Sequence, residues 1–270
     1  MVRLTIDGKV VEAKKGTSIL HAAESVGIKI PTLCYIEDLL PDGSCRMCMV
    51  EIESRGRTKM ETACTAQVAE GLVVTTNSEK VRNARRNILD MLLSNHKTDC
   101  FSCPSNGDCK LQELCFEYGI ERTTYSGEQT ELPIDDSNKF FTYNPNLCIL
   151  CHRCVNTCHK IVGRGAIDTM ERGFDSAIGT PFHIDWADTN CESCGNCVQA
   201  CPTGALTMKR RKNYRKYQID KKVLTTCPHC ATGCQYYLLV KDNKIVDSHV
   251  GYSEYDDYAK FLEKNGFSKK

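Results

Sequence analysis

The chain opens with regular alternation. In "VRLTIDGKVVEA" apolar and polar residues take turns on either side of Asp7-Gly8, the pattern of two strands joined by a tight turn. Thr17 is placed to cap a helix running from Ser18 to Val26, with Gly27 as its stop. Val81, Ile88, Leu89 and Leu92 then recur at helical intervals and predict a helix that ends close to His96. "LQELCFEYGI" has a helical pattern too. "ERTTYSGEQTELPIDDSNKF" is polar with few apolar positions and predicts a linker or interface loop. The Gly-rich turns between His159 and Asn190 suggest a small β insertion. Near the end, "QYYLLVKDNKIVDSHV" predicts a hairpin turning at Asp242-Asn243, and "YSEYDDYAKFLEKNGFSKK" a short amphipathic helix with a polar stop.

These elements leave the middle of the chain short of apolar residues. At 270 residues the chain is long enough for two domains or several smaller ones. A net charge of +1 argues against a nucleic-acid or membrane-surface partner. The basic stretch "MKRRKNYRKYQIDKK" reads first as a solvated surface and second as a docking patch for an acidic protein such as ferredoxin. No apolar run is long enough to span a bilayer and no leader pattern stands at the start, so a cytosolic location is expected. Disulfides rarely persist there. Yet the chain has 19 cysteines. Bound metal can supply the stability that apolar burial does not.

The cysteines fall into blocks with C-x2-C pairs. Two intervening residues let both sulfurs turn to one metal centre, whereas a local disulfide at that spacing would be strained. "CILCHRCVNTC" from Cys148 and "CESCGNCVQACP" from Cys191 share the spacing C-x2-C-x2-C-x3-C, with a following proline only after Cys201. This is the run of bacterial two-cluster ferredoxins, in which the fourth Cys ligates the other cluster. The expected sets are therefore Cys148, Cys151, Cys154 and Cys201 for one 4Fe–4S cluster, and Cys158, Cys191, Cys194 and Cys197 for another. Zinc ribbons use isolated C-x2-C pairs, not tandem triple runs.

Two further blocks carry a family resemblance. Strand, strand, helix and a Cys loop resemble the β-grasp fold of plant-type 2Fe–2S ferredoxins. The spacing Cys34-x10-Cys45-x2-Cys48-x15-Cys64, with "GSCRMCMVEIE", resembles the 2Fe–2S domain of respiratory complex I and of iron-only hydrogenases. Gly43 would let the chain wrap closely around that cluster. "HKTDCFSCPSNGDC" matches the H-x3-C-x2-C-x5-C pattern of the complex I large iron–sulfur subunit and the hydrogenases. That resemblance implies a 4Fe–4S cluster held by His96, Cys100, Cys103 and Cys109. Cys115 reads as a buried structural residue. From Met1 to about Arg210 the chain thus resembles the electron-input region shared by iron-only hydrogenases, the complex I subunit and NAD-dependent formate dehydrogenases.

Beyond that point Cys227-x2-Cys230-x3-Cys234 resembles the opening 4Fe–4S motif of molybdopterin-dependent formate dehydrogenases. No Cys follows Cys234. Three occupants stay open for this site: a 4Fe–4S cluster with His249 or Asp247 as fourth ligand, a zinc ion with His229 or His249, or nothing. The expected fold class is α+β and modular: a β-grasp 2Fe–2S domain (1–78), a small 4Fe–4S domain with one His and three Cys ligands (79–120), a linker (121–142), a two-4Fe–4S ferredoxin domain (143–210, insertion 159–190) and a C-terminal Cys-rich β segment (211–270). The cofactors implied are one 2Fe–2S and three 4Fe–4S clusters, with a fourth 4Fe–4S or a zinc at the last site. No glycine-rich nucleotide loop and no pterin-binding region is found, so nucleotide binding or formate oxidation by this segment alone is not expected. The function implied is an electron-transfer subunit of a multi-subunit oxidoreductase. Its expected partners are a flavin- and NAD(P)-binding subunit and a catalytic formate dehydrogenase or hydrogenase subunit, with ferredoxin as a further candidate and electron bifurcation as one form the assembly could take. The alternatives are a truncated formate dehydrogenase large subunit and a zinc-stabilised scaffold.

Overall fold

The structure, a computed structural model, describes residues 1–37, 39–210, 214, 218–229, 231 and 233–249, and nothing is described of the His249 side chain. Cys230 and the helix expected after Tyr252 lie outside the described residues. So does most of the basic stretch after Arg210.

The N-terminal part is a five-stranded sheet in the order β2-β1-β5-β3-β4. Its strands are β1 (Val2–Ile6), β2 (Lys9–Ala13), β3 (Met49–Ser54), β4 (Arg57–Thr62) and β5 (Val73–Thr75). Alternation puts Leu4, Ile6, Val11, Val50, Ile52 and Val74 inward. Asp7 and Gly8 both have positive φ, 46° and 79°, as a two-residue hairpin turn requires. The Asp7 carboxylate then accepts from the Thr76 backbone N–H at 2.7 Å, which ties the turn to the end of the neighbouring strand β5.

Helix α1 (Ile19–Glu24) packs on this face through Ile19, Leu20, Ala22 and Ala23. The expected cap and limits shift: Ser18, not Thr17, is the cap, and the helix ends two residues short of Val26. Ser18 accepts from the His21 N–H at 3.2 Å, while the Thr17 carbonyl is taken by the Val68 N–H at 2.9 Å. A long-range backbone bond thus outbids the local signal.

Helix α2 (Glu79–Ser94) is capped by Ser78, and its fully buried residues are Val81, Arg85, Leu89 and Leu93. Ile88 and Leu92 are partly buried against the same core, and the buried face also takes in a charged residue. This is Arg85, which reaches Tyr118 Oη at 3.0 Å and the Met49 carbonyl at 2.7 Å and so joins α2 to β3 and to the end of α3 (Lys110–Glu117). Residues 121–140 cross over α2. Asp90 accepts from Thr123 Oγ1 at 2.7 Å and the Thr124 N–H at 2.8 Å, and Asn95 accepts from the Thr130 N–H at 2.7 Å.

The next part pairs β6 (Phe141–Tyr143) with β9 (Leu206–Met208) around Trp186. Between them lie α4 (Arg153–Asn156), a π-helical turn (Thr157–Ile161), a two-stranded insertion of β7 (Asp168–Met170) and β8 (Ala177–Gly179), and α5 (Asn196–Ala200). A three-stranded antiparallel sheet, β10 (Lys221–Thr226), β11 (Gln235–Lys241) and β12 (Lys244–His249), ends the described chain. Its hairpin turns at Asp242 and Asn243, both at positive φ. The whole is modular, with mixed helix and strand content. No helix among the described residues is long and apolar enough to cross a membrane.

Candidate iron–sulfur sites

The two Cys runs fold alike. In each, the residue before the second Cys and the residue after it are left-handed: Leu150 and His152 in the first, Ser193 and Gly195 in the second. Left-handed φ costs a non-glycine residue roughly 1–2 kcal/mol, so its use at matched positions has a local purpose. The turn aims backbone N–H groups at sulfur. Leu150 N–H donates to Cys148 Sγ at 3.3 Å, and Ser193 N–H to Cys191 Sγ at 3.4 Å. A short helix follows each turn, α4 or α5, carrying Cys154 or Cys197 inward.

Two cavities lie beside these runs. One is lined by Cys148, Cys151, Cys154 and Cys201, with Tyr143, Ile178 and Leu206. The other is lined by Cys158, Cys191, Cys194 and Cys197, with Trp186, Arg164 and Glu192. Each cavity therefore takes three thiols from one run and the last thiol of the other. Ala166 N–H donates to Cys158 Sγ at 3.3 Å. Burial pushes the Cys148 and Cys197 thiols up to about 12. The Tyr143 hydroxyl, buried with no hydrogen-bond partner, faces Cys148.

At the N-terminal block Cys34, Cys45, Cys48 and Cys64 are all buried. Cys48 and Cys64 sulfurs are 3.4 Å apart. Hydrogen bonding from Cys45 draws the Cys34 thiol down to about 5 and holds Cys45 up, the behaviour of thiols crowded at one point. Gly43 sits at φ 64°, and a Cβ there would meet Thr65 Cγ2 at 3.1 Å. Arg46, between the paired cysteines, is left-handed as well.

In the second block Cys100, Cys103 and Cys109 lie within electrostatic range of one another. Desolvation pushes Cys109 up to about 11. His96 follows the end of α2, is 7% exposed, and makes no hydrogen bond to the three thiols; its Nδ1 has no partner. Burial lowers its pKa to about 4, so the ring is neutral, the form that ligates metals. Cys115 is buried among Leu111, Leu114 and Tyr118, and burial pushes its thiol up to about 12.

At the C-terminal block the Cys227 N–H donates to the Cys234 carbonyl at 2.8 Å, closing the loop that carries the motif. Strand register pairs His249 with Tyr237, which puts its backbone at the same end of the sheet as that loop. Asp247, weighed as a fourth ligand, accepts from the Tyr214 hydroxyl at 2.6 Å and from the Ser248 N–H at 2.8 Å, so both carboxylate oxygens are engaged.

Spacing had no means of finding one residue at these sites. Gly204 has an ordinary φ, yet a Cβ there would lie 2.6 Å from Cys103 Sγ. Two neighbouring positions make the same junction, for the Lys110 N–H donates to the Pro202 carbonyl at 2.8 Å. The segment after Cys201 is thereby pressed against the block containing Cys103 and Cys109.

The donors fit multi-iron centres. Four buried thiols at one place resist ionisation unless a highly charged metal centre compensates, and N–H···S bonds are the usual accompaniment. Among the described residues no three His, Cys, Asp or Glu side chains converge as ligands of one ion. Thiols instead ring cavities, as suits a centre with several irons.

Comparison with known proteins agrees with this chemistry. Residues 1–79 match the model of a 2Fe-2S iron-sulfur cluster binding domain, and 85–124 the NADH-ubiquinone oxidoreductase-G iron-sulfur binding region. Residues 140–207 match the ferredoxin-like domain of NADH-quinone oxidoreductase subunit 3, and 190–238 a 4Fe-4S dicluster domain. In a solved NAD+-reducing NiFe-hydrogenase, one chain superposes with a TM-score of 0.71 at 30% identity, over 77% of this chain and 88% of that one. This chain belongs to the iron–sulfur family shared by the NADH-quinone oxidoreductase G subunit and the NAD(P)-reducing hydrogenases. Within that family it is 43% identical over 235 residues to the NADPH-Fe(3+) oxidoreductase subunit alpha of Geobacter sulfurreducens, covering 87% of this chain and 27% of the relative. The NADP-reducing hydrogenase subunit HndD of Solidesulfovibrio fructosivorans is 40% identical over 211 residues, 76% of this chain and 36% of its own length. The chain thus spans about a quarter to a third of the curated relatives it matches. Residues 220–258 match the molybdopterin oxidoreductase Fe4S4 domain.

Proposed function

We propose that this chain is an electron-transfer iron–sulfur component of a cytoplasmic, NAD(P)-linked oxidoreductase complex. The observation that carries the reading is the pair of cavities, each lined by three thiols of one Cys run and the fourth thiol of the other. In this reading Cys34, Cys45, Cys48 and Cys64 hold a 2Fe–2S cluster in a unit spanning 1–78. His96, Cys100, Cys103 and Cys109 hold a 4Fe–4S cluster in 79–120, and the two crossed sets hold two more in 143–210. The clusters supply one-electron redox chemistry when bound. The protein's own part is to fix ligand type, to donate N–H···S bonds from Leu150, Ser193 and Ala166, and to exclude water with Trp186, Phe141 and Leu206. A neutral His96 in place of a thiolate makes its site less negative, which favours the reduced form. The partners proposed are a flavin- and NAD(P)-binding subunit and a catalytic subunit of hydrogenase or formate dehydrogenase type, with ferredoxin as a soluble carrier.

A second reading is favoured by the match at 220–258 and by the 27% coverage of the Geobacter relative. There the same residues form the front of a longer molybdopterin-type chain, and Cys227, Cys230 and Cys234 carry its entry cluster, with His249 as candidate fourth ligand.

Anaerobic purification tests the main reading. It expects a brown protein, bleached by reductant, with about 14 Fe and as much acid-labile sulfide per chain, or about 18 with a C-terminal 4Fe–4S cluster. A colourless protein holding several zinc ions would establish the scaffold reading in its place. His96→Cys should retain its iron and lower the potential of one cluster only.

A further inference from the structure

Arg153 stands where two of the proposed sites meet. It is the first residue of α4, between Cys151 and Cys154. Its Nε donates to the Ala200 carbonyl at 2.6 Å, and its Nη1 donates to the Tyr35 carbonyl. Tyr35 directly follows Cys34, and Ala200 directly precedes Cys201. One guanidinium therefore clasps the chain beside a thiol of the N-terminal site and beside a thiol of the first ferredoxin-like site. It also lies within electrostatic range of Cys151. Behind the clasp, Cys34, Cys45, Ile149 and Cys151 share one apolar core, so little separates the two sites.

The charge has no carboxylate to balance it among the described residues. Asp42, on the 34–45 loop, is bonded by Asn156 and paired with Lys160 at 3.8 Å. Glu37 is bonded by the Tyr35 hydroxyl at 3.0 Å and paired with His21 at 3.3 Å. A guanidinium stays charged at any ordinary pH. Drawn partly out of water and given only two neutral carbonyls, it needs negative charge nearby. Thiolate-ligated iron held by the ligand sets proposed above would supply that negative charge on both sides. A planar fork also explains why arginine is used, since two divergent donors must reach two segments at once.

We infer that Arg153 is a positioning residue common to two sites: it locks the Cys34 loop to the Cys201 helix and holds one positive charge that sets the potentials of the Cys34/Cys45/Cys48/Cys64 and Cys148/Cys151/Cys154/Cys201 centres together. The inference rests on the ligand sets proposed above. An electron arriving at either site adds negative charge beside the guanidinium, and the reduced state of both is stabilised by the same group.

The test is a redox titration, followed by EPR, of the complete chain purified anaerobically, with Arg153→Gln and Arg153→Lys. In Arg153→Gln the iron content and both signals should persist while both midpoint potentials fall. A tenfold loss in the reduced-to-oxidised ratio at fixed potential, about 59 mV for one electron, is the scale expected. Arg153→Lys should move both potentials less, because the charge remains. Unchanged potentials in Arg153→Gln, a shift at one site only, or equal shifts in both variants would overturn the inference. Should Arg153→Gln fail to load iron, a loaded Arg153→Lys with near-native potentials still supports it, and one that loses its clusters too reduces Arg153 to a clasp. Absence of any cluster signal from the native chain would instead sink the functional reading.

Discussion

The runs at Cys148 and Cys191 have the same spacing and the same left-handed turns, but they sit in opposite surroundings. Cys151 and Cys154 are buried, and Cys151 shares a core with the N-terminal block. Cys194 is exposed, and the cavity of its set has Arg164 and Glu192 on its lining. Local sequence therefore dictates how a run bends, while its position in the fold dictates how wet its site is. Burial raises electrostatic sensitivity and protects against solvent. In the proposed relay, the first run would serve internal transfer and the second exchange with a partner outside.

The comparison breaks most decisively through the crossed thiols. Cys201→Ala should abolish the signal of the buried site and Cys158→Ala that of the open one, each with loss of about 4 Fe measured by iron assay and EPR. Should each substitution remove its own run's site instead, ligation is not crossed.

Next in size are the residues three places beyond those thiols. Gly204→Ala would drive a methyl into Cys103 Sγ, and the expected result is loss of about 4 Fe from the His96 site with the ferredoxin-like signals retained. Its counterpart Ile161 is exposed, so Ile161→Ala should leave all iron in place. Equal iron loss in both would mean that Gly204 matters for some reason other than contact.

Accessibility sharpens the contrast without mutation. Ferricyanide or a chelator added to the holo-chain should bleach the Cys158/Cys191/Cys194/Cys197 site first, read as the order in which EPR signals disappear. Simultaneous loss would remove the wet-versus-dry distinction.

The smallest effect concerns the turns themselves. Ser193→Gly should leave the denaturation midpoint at or below the wild-type value, because relief of about 1 kcal/mol of left-handed strain is offset by loss of the hydrogen bond that buried Asn138 Nδ2 donates to Ser193 Oγ at 2.9 Å. Leu150→Gly should gain the same relief but surrender partly buried leucine packing, leaving stability near the wild-type value.

Local patterns were legible wherever the chain interacts with its near neighbours. The Asp7-Gly8 and Asp242-Asn243 turns, the strands flanking them and the helix before His96 follow from alternation, turn chemistry and helical period. The Cys spacings pointed to iron for the same reason, since each C-x2-C pair is a local geometric unit. The cap shifted from Thr17 to Ser18 and the burial of Arg85 in α2 have long-range causes, the Val68 N–H on the Thr17 carbonyl and the bridge from Arg85 to Met49 and Tyr118.

What the chain's own order determined, then, is its set of modules and the kind of metal chemistry they can hold, because those depend on contacts a few residues apart. Which sites touch was decided only in three dimensions. Arg153 meets Ala200 and Tyr35 across separations of 47 and 118 residues, and Gly204 meets Cys103 with no left-handed φ to mark it. Such contacts leave no periodic trace in sequence, because close packing of separate modules depends on shape at the point of contact and not on any repeat along the chain.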